Sequence, residues 1–152
     1  MKAGLIFEED MQNAYRWAFR RFYNSAAATI MLSSSRKEDV EKGTDFWDGD
    51  IPIDFTLNFE GKNNMFTVFP KTVNISRWFP EFQFGIRTGN NYAGGTRFQT
   101  PVLVVGVDMA PYEFFRERNF LMDCVYDNIR GIIETGEELF YLFQDQHPEM
   151  FA

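Results

Sequence analysis

Asp45 and Asp54 stand on either side of Asp48-Gly49-Asp50, and Asp-Gly is a strong short-range signal for a β-hairpin turn. With Gly49-Asp50 at the tip, Asp45 falls directly opposite Asp54; with Asp48-Gly49 at the tip it falls opposite Pro52 and diagonal to Asp54. Both registers put the carboxylates on one face, with β-carbons roughly 5–8 Å apart. A three-residue turn without a bulge separates them onto opposite faces. Two carboxylates this close repel unless a proton or a cation lies between them. A hard cation such as Mg²⁺ binds through one or two carboxylates and keeps several waters. It then activates a water and stabilises charge on a phosphoryl oxygen. Asp45 and Asp54 are therefore the candidate metal ligands and catalytic acids. Thr56 shares the face of Asp54, and Glu60 lies further along it. The plainer reading is two turn-flanking acids on a solvated face.

The elements that must position these residues follow from hydrophobic spacing. From Glu8 to about Leu32 the pattern is helical: Met11, Ala14, Tyr15, Ala18, Phe22, Ala26 and Met31 recur at three- and four-residue steps. Glu8, Glu9 and Asp10 are expected in its first turn, where negative charge suits the helix dipole. The clearest strand is Ile51–Glu60, with Ile51, Ile53, Phe55, Leu57 and Phe59 on one face and Pro52, Asp54, Thr56, Asn58 and Glu60 on the other. Pro52 cannot donate to a ladder, which places this region at an edge or a hairpin end. A third strand is expected at about Met65–Val73 and a fourth at Phe82–Arg87, followed by a glycine- and asparagine-rich loop over Thr88–Gln99. Pro101–Asp108 is apolar on both faces, as in a central strand covered on each side. Pro111 opens a helix to about Thr135, Gly136 interrupts it, Glu137–Phe143 makes a last short helix, and 144–152 is a polar tail expected to fray.

The fold class is α+β, or α/β if the buried strand runs parallel to a neighbour. A long N-terminal helix precedes a mostly antiparallel sheet of about four to five strands with one buried central strand, and C-terminal helices pack on the sheet. The order of elements, with Asp45 opening a strand meander and Asp54-Phe55-Thr56 on a strand, resembles the PD-(D/E)xK nuclease superfamily over residues 8–108. The resemblance implies Mg²⁺-dependent hydrolysis of DNA, with Asp45 and Asp54 holding the metal and Glu8 or Glu9 as an added acid. Thr56 stands at the family's lysine position, so Lys62 or Lys71 would supply that cation; otherwise the chain is a degenerate descendant of such an enzyme. Arg16, Arg20, Arg21, Arg36 and Lys37 are the candidate phosphate-binding patch.

A second constellation is the loop Gly85–Arg97, where Arg87 and Arg97 at its two ends suit a phosphate or nucleotide clamp. Its plainer reading is a flexible connection. Composition removes other chemistries. One Cys and one His exclude an internal disulfide and the usual zinc ligand sets. His147, in the polar tail, makes a Ser-His or Cys-His nucleophile improbable. Cys124 borders the apolar stripe of the long helix and reads as a small buried hydrophobe. No apolar run spans a membrane, and MKAGLIFEED turns acidic too soon for a signal peptide, so a cytoplasmic protein, in a host cell if phage-encoded, is expected.

The 152 residues suit one domain, with 18 Phe, 6 Tyr and 3 Trp and a net charge of −7. Most Phe fall on inward faces; Trp17, Phe46, Trp47, Trp78 and Phe79 lie near turns or polar faces, where they suit a protein-binding surface or a lid over the core. Net acidity motivates a second function class: a small non-catalytic anti-defence protein of the anti-CRISPR or nucleotide-sponge type, whose partner is a nucleic-acid-binding protein or a nucleotide. A homo-oligomeric structural protein is the third reading.

Overall fold

The structure is a computed structural model that describes residues 2–23, 46–61, 65–73, 81–93 and 96–151. In chain order these form α1 (Ala3–Phe22), β1 (Phe46–Asp48), β2 (Ile51–Thr56), β3 (Met65–Val73), β4 (Phe82–Ala93), β5 (Thr96–Gly106), α2 (Pro111–Asp127), α3 (Ile129–Gln146) and a 3₁₀ turn at Pro148–Phe151. The strands build one five-stranded sheet in the order β1-β2-β5-β4-β3. β1/β2, β3/β4 and β4/β5 are antiparallel, while β2 and β5 run parallel. The architecture is the expected α+β one, with the apolar run at its centre. Residues 101–107 are all buried, which is why neither face of that strand carries an unpaired polar side chain.

The hairpin turns on Gly49-Asp50, pairing Phe46 with Ile53, Trp47 with Pro52 and Asp48 with Ile51. Gly49 has φ +60°, a left-handed conformation that an L side chain strains. Pro52 sits one residue before the parallel ladder begins at Ile53↔Leu103, so its missing N–H costs β2 no hydrogen bond there. At the other end of the ladder Thr56 faces Gly106, and a β-carbon on Gly106 would lie 2.2 Å from the Thr56 carbonyl oxygen. Only glycine lets the two backbones approach so closely.

The helices pack on the face that carries Ile53, Phe55, Phe84, Leu103 and Val105. α1 turns Ala3, Phe7, Met11, Ala14, Tyr15, Ala18 and Phe19 inward. It begins five residues before Glu8, because Ala3 and Phe7 extend the buried stripe by more than a turn. Its first turn therefore holds no acid, contrary to expectation, and Asp10 instead receives Arg118 of α2 at 2.8 Å. Phe22, expected inward, is 42% exposed, and the part of the expected helix beyond Tyr23 lies outside the described residues.

Three further expectations are corrected. Residues 88–93 and 96–99 belong to strands β4 and β5, with Thr88↔Pro101 through Ala93↔Thr96 continuing their ladder; backbone pairing there outweighs the turn preference of Gly and Asn. The C-terminal helices break at Asn128, whose Nδ2 donates to the Cys124 carbonyl at 2.8 Å and so competes with the helical bond. Gly136 is instead buried inside α3, where a β-carbon would meet Leu103 Cδ2 at 2.9 Å. The segment after Phe143 does not fray: α3 runs to Gln146, and Phe151 folds back edge-on against Phe140 at 5.5 Å. No helix among the described residues is long and apolar enough to cross a membrane.

Candidate functional site

Asp54 lies on the sheet face away from the helices, as the period-two pattern of β2 requires, but it is not solvated. It is 7% exposed and paired with Arg87 of β4. The register explains the reach: Asp54, Val104 and Gly85 share one rung across β2, β5 and β4, and Gly85 has no side chain to obstruct Arg87 two residues on. The guanidinium and carboxylate neutralise each other in a largely dehydrated place, where each alone is costly. The acid expected to hold a metal is thus engaged by a cation of the chain itself.

The rest of the expected constellation is described only in part. Asp45 and Lys62 lie outside the described residues, as do Arg36 and Lys37. Lys71 belongs to β3, three strands from β2 in the sheet order, about 14 Å at the ordinary strand spacing. Thr56 Oγ1 accepts the Asn58 N–H at 3.0 Å, a local turn contact. Arg87 and Arg97 lie five rungs apart along the β4/β5 ladder, roughly 16 Å between backbones. Arg16 covers the Phe46 ring at 5.3 Å, on the helix side of the sheet, while Asp54 faces the other side; Arg16 and exposed Arg20 therefore form no patch with it. Among the described residues no three His, Cys, Asp or Glu side chains converge as a metal centre. Phe46, expected near the surface, is fully buried against Tyr15 and Phe55. Cys124 is buried as expected, and burial pushes its thiol pKa up, away from the reactive thiolate.

A different place has the shape of a site. At the carboxyl ends of the parallel strands β2 and β5, where the chain leaves for α2 and where α1 begins, lies a cavity of about 820 Å³. This is the position at which parallel sheets hold ligands, outside the strand ends. Leu57, Met109, Pro111 and Phe115 provide an apolar wall; Lys2, Asn58, Glu60 and Asp108 provide polar groups. Asp108 is firmly placed, since its two oxygens accept the Glu60 N–H at 2.9 Å and Gln83 Nε2 at 3.0 Å. Val107 and Met109 donate to the carbonyls of Thr56 and Leu57 at 3.1 and 3.0 Å, which holds the cavity floor to the sheet.

The polarity of this cavity is set by two helix starts. Neither Lys2, which precedes α1, nor Ala110, which precedes α2, caps its helix with a side chain, so the first turns of both helices leave N–H groups without that cap beside the cavity. Glu113 offsets part of the positive end of α2, whereas α1 has no acid in its first turn and has Lys2 beside it. The α1 end is the electropositive pole, and Glu60 with Asp108 is the opposite one.

Sequence reasoning passed over Lys2, Asn58 and Asp108. The junction Val105-Gly-Val-Asp-Met-Ala-Pro111, a buried strand running into a proline-started helix, was the available signal. It passed over a second acid pair as well. Asp48 alternates with Phe46 on β1 and so points into the helix layer, where it is 5% exposed and meets the Glu137 carboxyl of α3 within hydrogen-bonding reach. Burial first, then that hydrogen bond and the Glu137 and Asp50 charges, push the Asp48 pKa up to about 8. Glu137 is also raised, again by burial first.

The chain matches no protein-family model, no curated protein and no solved structure.

Proposed function

We propose that this protein is a non-catalytic binding protein of the cytoplasm that sequesters a nucleoside monophosphate in the cavity at the carboxyl ends of β2 and β5. The cavity itself carries the reading: its volume of about 820 Å³ is that of an ordinary small-molecule site. Its two poles suit the two ends of such a ligand. The phosphate fits the uncapped start of α1 beside Lys2, where backbone N–H groups and the dipole favour an anion. The ribose hydroxyls are donors for Glu60 and Asp108, and the base has an apolar wall with Phe115, 49% exposed, available for stacking. The expectation of a Mg²⁺-dependent nuclease is less well supported, because it requires Asp54 to give up Arg87.

Thermal unfolding and calorimetry with nucleoside 5′-monophosphates, nucleosides and inorganic phosphate test this reading. At a hundredfold excess over Kd a ligand of the native state adds about 2.7 kcal/mol. The expected result is a rise in Tm with a monophosphate that exceeds the effects of nucleoside and phosphate alone, reduced by Lys2→Glu and by Phe115→Ala. Absence of any shift at millimolar monophosphate sinks the proposal. So does Mg²⁺- or Mn²⁺-dependent plasmid nicking abolished by Asp54→Ala, which would restore the nuclease.

A further inference from the structure

At the opposite end of β2 from the cavity, α1, α3 and the β1–β2 hairpin meet around the Asp48–Glu137 pair. Three oxygen atoms here are buried without a hydrogen-bond partner: Tyr15 Oη, Tyr23 Oη and Asp48 Oδ2. Tyr15 is 1% exposed, with its ring edge-on to Phe46 and Phe55 and its hydroxyl in the field of Asp48 and Glu137. Tyr23 lies in the field of the same two carboxyls. Unsatisfied buried polar atoms are rare, and several at one place call for an ion or a water.

We propose that Asp48 and Glu137, flanked by the Tyr15 and Tyr23 hydroxyls, form a buried binding site for one hard divalent cation, Mg²⁺ or Ca²⁺, that ties the β1–β2 hairpin to α3. Two carboxyls in contact need a proton or a cation between them. A proton between the carboxyls supplies no partner to either phenol, whereas a cation carries bound waters that can reach them. The oxygen-only donor set selects a hard cation, and two carboxylates balance a charge of 2+. Among the described residues the charges acting on Asp48, those of Glu137 and Asp50, are both negative, and Arg130 acts on Tyr23. This site is independent of the nucleotide cavity, because β2 spans six residues, about 20 Å, between them.

Terbium(III) serves as the test, as a hard-cation probe whose emission is sensitised by a tyrosine close to its site. Protein stripped with a chelator and desalted is expected to give saturable tyrosine-sensitised emission that Ca²⁺ or Mg²⁺ displaces. Asp48→Asn and Glu137→Gln should abolish it, Tyr15→Phe should weaken affinity roughly tenfold, and Asp50→Asn should leave it in place. Circular dichroism of each variant confirms that it is folded. No saturable emission overturns the proposal, as does emission that Ca²⁺ and Mg²⁺ do not displace. Emission surviving in folded Asp48→Asn and Glu137→Gln also overturns it and assigns the probe to surface acids.

Discussion

Arg87 and Asp54 join two strands that do not touch, reaching across β5, and their side chains are only 16% and 10% exposed. Removing one partner of such a pair strands the other charge in a dehydrated place, a loss of roughly 3–5 kcal/mol, whereas replacing both by apolar groups is often neutral. Asp54→Ala and Arg87→Ala are therefore each expected to lower the urea midpoint substantially, and Asp54→Leu/Arg87→Met to recover most of the loss. Additive destabilisation in chemical denaturation, the double change losing the sum of the two single ones, would mean that the pair is not the source. The pair also explains why Asp54 was so readily taken for a metal ligand. An aspartate on the strand face opposite Phe55 looks available in sequence, and its partner is 33 residues away on a strand whose register the sequence does not announce.

Among the elements, the β1–β2 hairpin and α3 meet at the Asp48 and Glu137 carboxyls, and burial raises the pKa of both. The groups that interact with Asp48 are Tyr15 on α1, Tyr23 just after it, Glu137 and Tyr141 on α3, and Asp50 in the turn, with Glu134 and Arg130 acting on Tyr23. An acid whose pKa is about 8 in the native state and 3.8 in the unfolded one binds more protons when folded. Its contribution to stability is complete below about pH 4 and is lost as pH rises toward 8, by at most about 1.4 kcal/mol per pH unit. In chelator-treated protein the urea midpoint should fall between pH 5 and 8 and level off above, and Asp48→Asn should flatten that fall. An unchanged fall in Asp48→Asn assigns the pH dependence to other groups. The hairpin tip at Gly49-Asp50 was one of two registers open in the sequence, and β2, β3, the central strand and the proline start of α2 were all legible from spacing. The helix break was not: Gly136 has the composition of a breaker, but its role is to let α3 lie close to Leu103.

For the molecule as a whole, the cavity was not readable because four separated segments build it: Lys2–Gly4, Thr56–Glu60, Asp108–Pro111 and Phe115. Periodicity reports the face a residue takes within one element and is silent on which strand ends and helix starts converge. Net charge was readable and keeps its force. At −7, the net field opposes nucleic acid at long range, and the proposed small anion would enter the cavity only where local N–H groups and Lys2 oppose that field. This separates the two function classes through salt. A nucleic-acid binder neutralising six to ten phosphates loses roughly 10³–10⁵ in affinity between 50 and 200 mM salt. A pocket holding one phosphate releases few counterions, and screening weakens the attraction of Lys2 and the repulsion of the whole surface together. The Kd for a nucleoside monophosphate is therefore expected to change by less than about threefold over that range. A steep salt-dependent loss in a calorimetric titration would point instead to a multi-phosphate surface, and the cavity would not be the binding site.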